Sequence, residues 1–95
     1  MRDYELVAII NPEVPDEEME RVIDRVNQLI ASGGGEITKT EPWGRRRLAY
    51  PINGHREGFY VVEQFHIDPS ATAELERSLR LIEDVIRYLL VHIGE

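Results

Sequence analysis

The apolar residues of this 95-residue chain switch their spacing from two to three-and-four and back, twice over, and few folds accommodate that order. Residues 2–10 alternate, with Tyr4, Leu6, Ala8 and Ile10 on one face and Asp3, Glu5, Val7 and Ile9 on the other, the pattern of a half-buried strand. Asn11-Pro12 ends it. From Pro15-Asp16 the spacing turns helical: Met19, Val22, Ile23, Val26, Leu29 and Ile30 fall on one stripe, and acids crowd the first turn, where the helix dipole favours them. Gly33-Gly34-Gly35 supplies a left-handed stop. Residues 36–41 and 45–52 read as one long strand bent at Pro42-Trp43-Gly44, since proline and glycine are tolerated in strands mainly at edges and bulges. Asn53-Gly54 begins a turn expected to close at Gly58. In residues 59–67, Phe59, Val61, Phe65 and Ile67 alternate with Tyr60, Val62, Gln64 and His66. Asp68-Pro69-Ser70 caps a second helix with the stripe Ala71, Leu75, Leu79 and Ile82, and a β-rich segment runs from Val85 to Ile93.

The order is βαββαβ, two βα units separated by a hairpin. It predicts an α+β, ferredoxin-like split βαβ fold, a four-stranded antiparallel sheet with both helices on one face, as a single domain over residues 1–95. The other sheet face is then uncovered, and Val7, Ile9, Tyr60 and Val62 make it partly apolar, a combination that marks a contact surface. Glu63 falls on the strand face that holds Phe59, Val61, Phe65 and Ile67. A lone buried carboxylate is costly, so it is expected near the sheet edge or paired with Arg47 or Arg87.

The net charge is −7, but it is unevenly placed. Residues 1–38 balance to −6 and residues 59–95 to −4, while residues 39–58, with Lys39, Arg45, Arg46, Arg47 and Arg56, balance to +3. An acidic body with one basic island binds a phosphate backbone locally and is a poor non-specific binder. The island centres on Gly44–Ile52, GRRRLAYPI. On a strand Arg45 and Arg47 point one way and Arg46 the other; guanidinium forks match phosphate oxygens and stack on bases. Trp43 and Tyr50 flank them as stacking surfaces. The alternative, a charged edge that merely blocks sheet-to-sheet aggregation, fits the local composition equally well. Residues 57–64 lie where an RNA-recognition motif carries its aromatic strand; they keep Gly58, Phe59 and one valine but lack the leading base and the later aromatics, so that stacking mode is not expected.

Catalytic readings find little support. With no cysteine there is no disulfide, thiolate metal site or cysteine nucleophile. His55, in a turn, and His66 and His92, on separate strands, have no partner at metal-ligand spacing. No serine sits in a nucleophile elbow, and the glycine triplet follows a helix where a phosphate loop opens one. The acids Asp16, Glu17, Glu18 and Glu20 complement a helix N-terminus, with Glu17–Arg21, Glu76–Arg80 and Glu83–Arg87 expected as helical pairs. No cofactor or metal is expected. No apolar run is long enough for a bilayer and the N-terminus carries no signal pattern, so a soluble, cytoplasmic protein is expected.

Arg2-x-Tyr4-Glu5 followed by Ile10-Asn11-Pro12, then Gly44-x-Arg46-Arg47-Leu48-Ala49-Tyr50-Pro51-Ile52, and the Gly58-aromatic strand resemble the bacterial small-subunit ribosomal protein six family over essentially the whole chain. The resemblance implies a structural ribosomal protein, not an enzyme, that binds 16S ribosomal RNA jointly with small-subunit ribosomal protein eighteen. It implies RNA contacts at Arg2, Arg46, Arg47 and Tyr50, with Arg87 beside them; Arg45 sits at the motif's variable position and joins them on charge alone. Trp43, Leu48, Tyr60 and Val62 are expected on the partner surface, and a monomer is expected outside the ribosome. The sequence ends two residues after Ile93 without a charged tail and has a single lysine, so RNA contacts are expected to lean on arginine. The same fold also carries acylphosphatase-type enzymes, though their glycine-flanked arginine loop is not seen after Ile10, and ligand-sensing dimer modules.

Overall fold

Arg2–Ile10 forms β1, and its alternation works as a two-faced strand: Leu6 and Ile10 are fully buried, while Glu5 and Val7 are half-exposed. The structure, a computed structural model, describes residues 1–94. After β1 come α1 (Asp16–Ser32), β2 (Glu36–Ile52), β3 (His55–Ile67), a short 3-10 turn (Pro69–Ala71), α2 (Thr72–Arg80) and β4 (Val85–Ile93). The sheet order is β2-β3-β1-β4, with every neighbouring pair antiparallel. Each helix crosses between two parallel strands that have another strand between them, which is the split βαβ arrangement.

α1 buries Met19, Val22, Val26 and Ile30, the centre of the expected stripe, and α2 buries Leu75 and Leu79. Both helices lie on the Leu6 face of the sheet, where Phe65, Ile67, Val26, Ile30 and Leu79 close the main core around Leu6. A second cluster of Ile10, Met19, Val22 and Val61 fills the end near the start of α1. At the end of α1, Gly34 takes the left-handed conformation at φ 86°, which costs glycine nothing. Asp68 accepts hydrogen bonds from the Ser70 backbone nitrogen (2.9 Å) and hydroxyl (2.8 Å); it caps the 3-10 turn, and the α-helix proper starts four residues later than that cap.

Two features differ from expectation. The turn after β2 holds only Asn53 and Gly54, both at positive φ (51° and 81°), and Ile52 pairs directly with His55. That two-residue geometry matches strand twist, so β3 starts at His55 and Gly58 lies inside the strand. A Cβ on Gly58 would stand 2.4 Å from Ile9 Cγ2 and 3.7 Å from Leu48 Cδ2. Glycine is therefore demanded here by packing, because the long hairpin folds down onto the open face of β1.

The second difference is Glu63. It is fully buried and pairs with no arginine among the described residues. Its register partners are Leu6 on β1 and Thr40 on β2, and the Thr40 hydroxyl donates to its Oε1 at 2.5 Å. The Asn27 amide reaches it from α1: with its nitrogen toward Glu63 it donates to Oε1 at 3.1 Å and also to Oε2. Turned over, the amide oxygen instead accepts from a protonated carboxyl, so this neighbour serves either charge state. Burial pushes the Glu63 carboxyl up to about 7, and the Thr40 hydrogen bond opposes part of that rise. None of the three expected helical pairs forms among the described residues: Arg21 bonds Glu18, Arg80 donates to Tyr88 Oη, and Arg87, which lies on β4 beyond the end of α2, donates to Tyr50 Oη.

The raised Glu63 value means the folded state holds a proton that the unfolded chain has released above its ordinary carboxylate range. Stability is then greatest below pH 4.5 for this group and falls as pH climbs from 4.5 through about 7, by about 3 kcal/mol in all. Urea unfolding across that window is expected to show the decline in the native chain and a flatter profile in Glu63→Gln; identical slopes would remove Glu63 as its source. Gly58→Ala is expected to lower stability by about 1–3 kcal/mol through the Ile9 clash, read as a drop in thermal midpoint.

Candidate nucleic-acid interface

The three consecutive arginines go to different places because β2 pairs β3 in strict register there. Arg45 lies opposite Phe59, Arg46 opposite Gly58 and Arg47 opposite Glu57, so Arg45 and Arg47 share the helix side and Arg46 the open side. Just before them, Pro42-Trp43-Gly44 forms the bulge that the sequence pattern anticipates, with Gly44 at φ 84°.

Arg45 is spent within the chain. Its guanidinium donates to the carbonyls of Pro12 (2.7 Å) and Val14 (3.2 Å) and to the Asp16 carboxylate (2.9 Å), tying β2 to the loop before α1. Arg46 and Arg47 have no carboxylate partner among the described residues. The Arg46 guanidinium lies 4.8 Å from the Trp43 ring centre, and Trp43 Nε1 donates to Glu41 at 2.8 Å. That hydrogen bond, followed by Lys39, holds the Glu41 carboxyl below its usual range, so it stays ionised beside the arginines.

Tyr50 reaches across the open face to β4. Arg87 donates to its hydroxyl at 2.6 Å and lies 5.7 Å from its ring centre, although Tyr50 and Arg87 belong to opposite edge strands. The hairpin brings Arg56 to the same place: Arg47, Leu48, Tyr50, Pro51 and Arg56 line a small concavity. Arg56 belongs to the basic island of the sequence, but only the two-residue turn, which no charge pattern specifies, returns it toward Arg47. Arg46, Arg47, Tyr50, Arg56 and Arg87 therefore gather at one end of the sheet. Arg2 does not join them. It pairs with Ile67 at the far end of β1, eight residue steps from Ile10, or roughly 26 Å along the strand.

The open face is graded. At the Arg2 end Asp3 contacts His66, and Gln64 donates to Glu5 at 3.2 Å. Ile9, Leu48 and Val62 are less than a tenth exposed, Ile9 and Leu48 meeting over Gly58 where the hairpin folds down, so Leu48 and Val62 offer less partner surface than expected. Trp43 (44% exposed) and half-buried Tyr60 remain available. Leu89 and Val91 on β4, opposite Val7 and Glu5, are 59% and 40% exposed and extend the apolar surface to the sheet edge. Their alternation was visible in the sequence, but which β4 face looks outward depends on the register with β1.

No group of three histidine or carboxylate side chains among the described residues is placed to hold a metal. No helix there is long and apolar enough to cross a membrane.

Comparison with known proteins gives one consistent result. Residues 3–92 match the family model described as Ribosomal protein S6. The chain is 48% identical to the small ribosomal subunit protein bS6 of Fusobacterium nucleatum over 91 residues, covering 96% of this chain and 97% of that one. It is 41% identical to the bS6 protein of Desulforamulus reducens over the full length of both. Its fold superposes on the crystal structure of 30S ribosomal protein S6 from Thermotoga maritima with a TM-score of 0.92 at 38% identity, covering 97% of this chain and 87% of that one. With its split βαβ sheet and its GRRRLAYPI edge strand, the chain belongs to the ribosomal protein S6 family.

Proposed function

We propose that this protein binds 16S ribosomal RNA through the arginine end of its sheet, jointly with small-subunit ribosomal protein eighteen on the open sheet face. Its family makes it a structural constituent of the bacterial small ribosomal subunit, cytoplasmic with the ribosome, and not an enzyme of the acylphosphatase type.

The observation that carries the RNA reading is the division among the arginines. Arg45 is committed to the loop before α1, whereas Arg46 and Arg47 have no carboxylate partner among the described residues and stand near Tyr50, Arg56 and Arg87. Arginine side chains left unneutralised at one end of a −7 chain are placed for phosphate oxygens, and Trp43 and Tyr50 beside them for bases. The overall acidity supports a joint site: repulsion from the body opposes RNA, so a cationic partner on the adjoining face supplies the rest of the field. Trp43, Tyr60, Leu89 and Val91 are the exposed positions for that partner, with Leu48 and Val62 beneath them. Arg2, at the opposite end, contacts RNA separately. The chain acts as one RNA-binding domain and is monomeric outside the ribosome.

RNA affinity without the partner is expected to be weak and steeply salt-dependent; tight, partner-independent retention on a filter would overturn the joint site. Arg46→Ala and Arg47→Ala are each expected to cut the salt slope of joint binding by about one while leaving the thermal midpoint unchanged. Arg45→Ala should do the reverse, costing about 1–2 kcal/mol of stability through its lost hydrogen bonds, with little change in salt slope. An RNA defect in Arg45→Ala equal to that of Arg46→Ala, at undiminished stability, would contradict the division.

A further inference from the structure

On the helix side of the molecule, away from the open sheet face, α1 and β2 enclose a cleft of about 440 Å³. Its floor is apolar: buried Met19, half-buried Ile23 and Phe59, and exposed Pro42. One wall is a line of carboxylates, Asp16, Glu20 and Asp24, spaced four apart and so stacked along one side of α1. Arg45 neutralises Asp16 at 2.9 Å, but Glu20 and Asp24 are exposed and have no cationic partner among the described residues. The far end is closed by Asn27 and Thr40, the pair that holds Glu63.

Apolar floor and acidic wall together select one kind of occupant. Phosphate oxygens are repelled by Glu20 and Asp24, and by residues 1–38, whose balance is −6. A purely apolar segment leaves both carboxylates without a partner. A peptide that buries one or two apolar side chains against Ile23, Phe59 and Pro42, with arginine or lysine beside them, satisfies both features. We infer that this cleft is a docking site for a basic segment of a neighbouring protein, anchored by apolar side chains and oriented by Glu20 and Asp24. The surface is separate from the arginine end, so this inference stands or falls independently of the RNA reading.

The test is backbone-amide NMR of the full chain titrated with a short peptide of Leu-Phe flanked by arginines, with a glutamate-flanked counterpart and a single-stranded RNA oligonucleotide as comparisons. The arginine peptide is expected to shift the amides of Met19, Ile23, Asn27, Thr40 and Phe59. Its affinity is expected to fall about five- to tenfold in the exposed-surface double variant Glu20→Lys/Asp24→Lys, whose fold the same spectra verify. Equal binding of the glutamate peptide, undiminished affinity in the double variant, shifts confined to the open sheet face, or displacement from these amides by the RNA would each overturn the inference.

Discussion

The close approach of β1 and the β2–β3 hairpin over Gly58 governs the arginine-rich end of this molecule. Because position 58 carries no side chain, Ile9 and Leu48 meet across it and the hairpin lies down on the sheet. That posture carries Tyr50 over to Arg87 on the opposite edge strand and sets Arg56 beside Arg47. A hairpin standing away from the sheet would leave the same residues spread along a ribbon. The basic site is thus a product of apolar packing, and its arginines need no attraction to one another to be brought together.

Arg45, Arg46 and Arg47 are chemically identical and adjacent, yet their neighbours give them different work. Strand alternation sends Arg46 to the open side and the other two to the helix side. On the helix side, among the described residues, only Arg45 finds acceptors, because the loop between β1 and α1 presents two carbonyls and Asp16 to it. The acids of α1 have a similar double character. Asp16 anchors Arg45, while Glu20 and Asp24, one and two turns on, face the α1–β2 cleft. Of the three arginines only Arg46 thus has the sheet between it and the acids of α1.

What was legible in the sequence was whatever depends on short-range periodicity. The alternation of Tyr4, Leu6, Ala8 and Ile10, the stripe from Met19 to Ile30 and the bulge at Pro42-Trp43-Gly44 were all readable, and with them the βαββαβ order. The arginine cluster was readable too, as was the family it resembles. Three things were not, each for a reason of distance. Glu63 finds Thr40 and Asn27, which lie 23 and 36 positions away, so no local pattern names them. Arg45 is claimed by carbonyls about thirty residues earlier, and carbonyls leave no trace in residue type. Gly58 looked like the end of a turn because glycine serves turns and close approaches alike; the two-residue Asn53-Gly54 turn settles it as the latter.

Burial of the Glu63 carboxyl, beside an Asn27 amide able to face it with either end, couples folding to proton uptake. Between the ordinary carboxylate range and about pH 7 the unfolded chain carries Glu63 as a carboxylate, while the folded chain holds it mostly as the acid, so folding there draws a proton from solution. The measured heat of folding then contains the ionisation heat of whatever buffer supplies that proton, and it differs between phosphate and amine buffers at one pH. A single buried carboxyl thereby ties the energetics of this domain to the proton reservoir around it, although no part of its residue is exposed to solvent.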